Sequence, residues 1–143
     1  MKKVVNENQM SSVAETVLET LQPQKKGAAV LALSGDLGAG KTTLTQHFAQ
    51  LLGVKENIIS PTFVIMKSYP LQEQKWETLI HIDAYRIEQE KEMQVLGFHH
   101  LLSDPKNLIL IEWPEKIAGL LPENKIDVLI EHEGGGRKVC IQL

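Results

Sequence analysis

Lys41, Thr42 and Thr43 close the run Gly35-Asp36-Leu37-Gly38-Ala39-Gly40, which satisfies the Walker A spacing with Gly38 as one glycine more than the pattern requires. In such a loop the backbone N–H groups converge on phosphates. Glycines allow this by accepting unusual backbone angles and by removing the side chains that would hold the ligand away. Lys41 supplies a point charge for the β- and γ-phosphates and Thr42 a hydroxyl for Mg²⁺. A helix opening at this point turns its positive dipole end toward the same anion. The chemistry implied is work on a nucleoside triphosphate.

Phosphoryl chemistry also needs an acid near the metal and a group that orients the nucleophile. Two carboxylates stand directly after strand-like runs, Glu112 after Leu108-Ile109-Leu110-Ile111 and Asp83 after Thr78-Leu79-Ile80-His81-Ile82. A carboxylate in that position emerges at the sheet edge where α/β ligands bind. The reading assigns Glu112 to the metal and Asp83 to the attacking water or the metal's outer sphere, the order of the two being open. Thr62, in Ser60-Pro61-Thr62-Phe63, is either a switch threonine that meets Mg²⁺ or the γ-phosphate, or part of a strand-initiating turn. Arg86 is either a phosphate or partner-carboxylate contact or a surface ion pair, and Trp113 either packs beside the nucleotide or plugs the core. His81 alternates with apolar neighbours and reads as a packed strand residue rather than a catalyst.

The elements that must hold these groups are legible around the loop. Ala28 to Leu33 is an unbroken apolar run, as expected of a parallel strand buried on both faces. Leu44, Phe48, Leu51 and Leu52 then recur at helical spacing, with Gly53 as the C-terminal cap. Upstream, Lys3-Val4-Val5 is a short strand, and Ser12 with Glu15 has the form of a capping box. It opens a helix whose face of Val13, Val17, Leu18 and Leu21 covers the sheet or the nucleotide base. Phe63 to Tyr69 and Trp76 to Asp83 form a hairpin around Pro70 to Lys75. Ile87 to Leu96 is a charged helix capped by Gly97, and Lys116 to Leu121 a short one. Ile126 to Ile130 and Val139 to Leu143 make a second hairpin around Gly134-Gly135-Gly136. Buried parallel strands mixed with hairpins predict an α/β, P-loop NTPase-like domain with a mixed parallel and antiparallel sheet and flanking helices.

One domain over residues 1–143 is expected, because a chain of 143 residues can bury about two-thirds of its unfolded surface without a disulfide or metal staple. Cys140 reads as a surface or partly packed thiol. With no signal peptide and no apolar run of membrane-spanning length, a cytoplasmic protein is expected. A net charge of −3 argues against unaided nucleic-acid binding, which rests on a basic face. Asn124-Lys125-Ile126-Asp127 spells the guanine-reading motif of GTPases, but it runs into a strand instead of following one, and no Asp-x-x-Gly occurs. Adenine is therefore preferred.

The Walker loop, then Ser60-Pro61-Thr62-Phe63, His81-Ile82-Asp83-Ala84-Tyr85-Arg86, Leu96-Gly97-Phe98 and Ile111-Glu112-Trp113-Pro114-Glu115 resemble, in order and spacing, the bacterial TsaE (YjeE) family. The likeness spans nearly the whole chain. It implies an ATPase that works with TsaD and TsaB in making N6-threonylcarbamoyladenosine at position 37 of tRNAs that read codons beginning with A; the acidic charge points to tRNA being met only through that complex. By the same likeness Lys41 and Thr42 carry phosphate and metal, Glu112 is the Mg²⁺ ligand, and Thr62, Asp83 and Trp113 belong to the site; the ATP-binding residues are then taken as Gly35 to Thr43 with Trp113, and the catalytic ones as Lys41, Thr62 and Asp83. The chain departs from the family near its first helix, where many members carry a threonine and Met10-Ser11-Ser12 stands here. A small-molecule kinase is the rival class, although such kinases use several arginines and this chain has only Arg86 and Arg137.

Overall fold

The computed structural model describes residues 2–5, 7–36, 38–56, 65–134 and 136–142. Leu37 and the Ser60-Pro61-Thr62-Phe63 stretch, with the readings made on them, lie outside these residues. In chain order the elements are β1 (Lys2–Val5), α1 (Met10–Thr20), β2 (Ala29–Gly35), α2 (Lys41–Leu51), β3 (Met66–Pro70), β4 (Thr78–Asp83), α3 (Lys91–Val95), α4 (Phe98–Leu102), β5 (Asn107–Glu112), β6 (Ile126–Glu133) and β7 (Gly136–Gln142). Short 3₁₀ segments cover Glu7–Gln9 and Pro114–Leu120.

The described strands form one sheet in the order β1-β7-β6-β2-β5-β4-β3. Its centre, β6-β2-β5-β4, is parallel, and β7, β1 and β3 are added antiparallel at the two sides. The uninterrupted apolar runs take the middle because a strand covered on both faces has no polar side to offer. Every residue of β5 is buried. On the hairpin strand β6, apolar and polar positions alternate, with one face turned inward. Its parallel pairing to β2 is not visible from that pattern.

Side-chain alternation divides the core in two. Leu31 and Leu33 of β2, Leu79 of β4 and Leu108 and Leu110 of β5 pack with α1 and α2. Val30, Ile80, Ile82, Ile109 and Ile111 pack on the opposite face with Met93, Phe98 and Ile117. Leu110, 1% exposed, is typical, and truncating such a leucine to alanine costs about 2–5 kcal/mol. The α1 helix therefore covers the sheet, through Val13, Ala14 and Val17.

Several boundaries differ from the sequence reading. The helix α1 starts at Met10, without a side-chain cap from Gln9, so the Ser12 and Glu15 capping box falls inside it. Burial of Met10 at 1% exposure draws the helix start upstream. The expected helix from Ile87 to Leu96 is shorter. The Glu92 carboxylate accepts the N–H groups of Glu88 and Gln89, each at 2.8 Å, and closes the turn before α3. Gly97, at φ +77°, ends α3 as expected and opens α4, which the sequence reading omits. The stretch after β5 is 3₁₀ and not α, kinked at Ile117 (φ −132°, ψ 29°), whose side chain is drawn into the core. Strand β4 begins later than expected and β7 begins earlier, while the expected start of β3 at Phe63 lies outside the described residues.

Candidate functional site

The parallel register of the three central strands brings the chemistry together. Leu33 of β2 lies beside Glu112 of β5, and Glu112 beside Asp83 of β4. Neighbours paired in this way point to the same side of a sheet, and residues two apart on one strand share that side. His81, Asp83 and Glu112 therefore project toward the face covered by α2. The loop from Gly35 to Gly40 leaves the end of β2 beside them.

Gly35 has φ +146°, and a Cβ placed there would overlap the carbonyl oxygen of Ile130 on β6, so only glycine fits the turn out of the strand. Gly38 (φ +78°) faces open space and Gly40 (φ +112°) opens α2. The Ala39 N–H returns to the Asp36 carbonyl at 3.1 Å, while the Arg137 side chain of β7 donates from Nε to the Ala39 carbonyl at 3.0 Å. One face of the loop is thus tied to the terminal hairpin. Asp36 and Thr43 are exposed and Ala39 is buried.

Lys41 donates from Nζ to the Gly35 carbonyl and lies 3.4 Å from the ring centroid of Trp113. Burial pushes its ammonium below the ordinary lysine value, and the carboxylates of Glu112, Glu115, Asp83 and Asp36 pull it back up. Trp113 is held in the left-handed region at φ 60°, ψ 50°. Its ring meets that of Tyr85 at 5.1 Å, and it packs against the second core cluster from the edge. It does not plug the core.

Thr42 Oγ1 and Glu112 Oε1 are 3.5 Å apart, a hydroxyl and a carboxylate facing each other across the first turn of α2. These are hard oxygen donors, few in number, beside a glycine-rich loop. That set fits Mg²⁺, which keeps several waters and takes one or two carboxylates together with the phosphates of its substrate. The other carboxylate oxygen, Glu112 Oε2, is 2.6 Å from His81 Nε2, with His81 at 0% and Glu112 at 2% exposure. Asp83 is half-buried and accepts the Tyr85 N–H at 3.0 Å.

Lys41, Thr42, Asp83, Glu112 and Trp113 are thus gathered at one sheet end, with Gly35, Asp36, Gly38, Ala39, Gly40 and Thr43 forming the loop beside them. Asn124 is elsewhere. It bonds Gln24 at 3.3 Å just before Ile126, which pairs with Leu31, so the apparent guanine motif sits toward the opposite end of β2 from Gly35. The sequence reading gives three residues no role at the site: Glu115, whose charge acts on Lys41, Arg137, which holds the loop, and His81, whose side chain does more than pack. Only His81 carried a sequence signal, its spacing of two from Asp83 on one strand.

A glycine-rich loop between a central parallel strand and a helix, with a hydroxyl and a strand-end acid across from it, defines a P-loop NTPase-like domain. The family model described as "Threonylcarbamoyl adenosine biosynthesis protein TsaE" matches residues 4–139. The tRNA threonylcarbamoyladenosine biosynthesis protein TsaE of Rickettsia felis is 36% identical over 139 residues, covering 94% of this chain and 74% of that protein. The protein of the same name from Bacillus subtilis is 35% identical over 132 residues, covering 92% and 77%. The crystal structure of Bacillus subtilis YdiB superposes with a TM-score of 0.74 at 30% identity, over 97% of this chain and 82% of that one. The chain belongs to the TsaE family.

Proposed function

We propose that this protein is a Mg²⁺-dependent ATPase that acts with TsaD and TsaB in forming N6-threonylcarbamoyladenosine at position 37 of tRNA. A role in threonylcarbamoyladenosine biosynthesis is supported by the family and by the names of its relatives. The observation that carries the ATPase reading is the facing pair of Thr42 and Glu112 beside the Lys41 loop. Lys41 and the loop N–H groups bind the β- and γ-phosphates, Thr42 and Glu112 would hold Mg²⁺, and Asp83 orients the attacking water. When bound, the metal neutralises charge that develops on the phosphates.

The balance of charge around the loop favours slow hydrolysis by the protein alone. Lys41 faces four carboxylates, Glu112, Glu115, Asp83 and Asp36, and Arg137 is occupied with the Ala39 carbonyl. The developing γ-phosphate charge is therefore poorly compensated within this chain. A cation supplied in trans can be worth about 10³–10⁵ in rate, and TsaD and TsaB are the proposed source. With a net charge of −3 the protein meets tRNA only through that complex.

Steady-state phosphate release, with and without small-molecule acceptors, tests the reaction class. Slow release that acceptors do not change, and that TsaD with TsaB raises, is the expected result. Transfer of the γ-phosphoryl group to an acceptor would replace the ATPase with a kinase.

A further inference from the structure

We infer that His81 is a positioning residue, which fixes the orientation of the Glu112 carboxylate so that Oε1 is presented to the metal beside Thr42. The inference rests on the reading of Glu112 as a Mg²⁺ ligand. A carboxylate on a two-methylene stem can rotate, and both its oxygens are equivalent until something distinguishes them. Here the distinction is made by His81 Nε2, 2.6 Å from Oε2, while Oε1 faces the Thr42 hydroxyl at 3.5 Å. As a metal ligand the Glu112 carboxylate would only accept, which makes Nε2 the donor in this reading.

The imidazole is itself fully buried. His81 is 0% exposed, on a strand flanked by Lys67 of β3 and Leu110 of β5. Its Nδ1 is buried and has no hydrogen-bond partner among the described residues. A histidine kept for sheet stability alone would gain from satisfying that second nitrogen, because a buried polar atom without a partner is costly. The geometry instead commits the ring to the single contact with Glu112. The backbone adds to this, since the Ala84 N–H donates to the Glu112 carbonyl at 3.0 Å and ties the end of β4 to the residue His81 orients. Groups that orient a metal-ligating side chain in this way typically control about ten- to a hundredfold in metal affinity.

The test measures metal and nucleotide separately in the full chain. Mn²⁺ serves as the probe, its binding in the presence of a non-hydrolysable ATP analogue followed by the loss of its free EPR signal, while nucleotide affinity is measured by calorimetry in EDTA. His81→Leu is expected to weaken Mn²⁺ about ten- to a hundredfold and to change metal-free nucleotide affinity less than about twofold. Glutamine carries its amide nitrogen as far along the side chain as Nε2, asparagine only as far as Nδ1. His81→Gln should therefore restore Mn²⁺ affinity and His81→Asn should not. That comparison decides the matter if His81→Leu fails to give a cooperative melting curve. Wild-type Mn²⁺ affinity in His81→Leu, or equal weakening in the glutamine and asparagine variants, would overturn the inference while leaving Glu112 as ligand. Glu112→Gln with wild-type Mn²⁺ affinity would instead remove the reading on which it rests.

Discussion

The Lys41 ammonium lies 3.4 Å from the Trp113 ring centroid and donates to the Gly35 carbonyl of its own loop. A cation over an indole gains about 0.5–2 kcal/mol, and the carbonyl adds to it, so in the proposed function a phosphate would have to compete for this lysine. Trp113 holds its place through a left-handed backbone and the Tyr85 ring.

Replacing Lys41 by methionine separates ligand binding from stability. ATP affinity should be lost in calorimetry while the domain stays folded. Because burial holds the folded-state value below about 10.5, the unfolded chain keeps this proton to higher pH than the folded one. The cost of burying this charge is therefore full at pH 7 and is relieved as pH rises through the folded value toward 10.5. The wild type should gain stability relative to Lys41→Met as pH rises toward 10.5. A wild type that loses ground to the variant over that range would contradict the burial effect.

The two acids at neighbouring strand ends should be distinguishable. Glu112→Gln keeps the shape but removes the charge beside Thr42. Magnesium-dependent hydrolysis should fall by on the order of a hundredfold or more, with metal-free nucleotide binding nearly unchanged. Asp83→Asn should cost on the order of a hundredfold in turnover, as expected for a group that orients the water, without the same loss of metal affinity. If Asp83→Asn shows the metal-binding defect and Glu112→Gln does not, their roles are reversed.

Gly35→Ala tests the turn out of β2. Its Cβ would press on the Ile130 carbonyl at a backbone angle that side chains rarely adopt, so a loss of about 1–3 kcal/mol is expected. Chemical denaturation measures it, and an unchanged midpoint would mean that the loop leaves the strand by another path.

What the sequence made legible follows from the range of each interaction. The Walker loop, the runs in β2 and β5 and the turn at Gly97 are local, and their patterns survive in one dimension. The contact between His81 and Glu112 depends on the offset of β4 against β5, two strands separated by α3 and α4, and nothing in either strand states that offset. Periodicity read His81 as packed because its neighbours are apolar, which is correct for burial and silent on its partner. Arg137 was equally hidden, since a hairpin strand gives no sign that it will fold back against the glycine loop. The start of α1 at Met10 was missed because burial of one side chain outweighed a good local capping signal.

Threonylcarbamoyl transfer to tRNA over repeated rounds, reconstituted with TsaD and TsaB, joins the site to the proposed role most directly. Addition of this protein with ATP and Mg²⁺ should sustain turnover. Lys41→Ala, folded by its melting curve, should abolish that support. Equal turnover without the protein, or full support by Lys41→Ala, would contradict it.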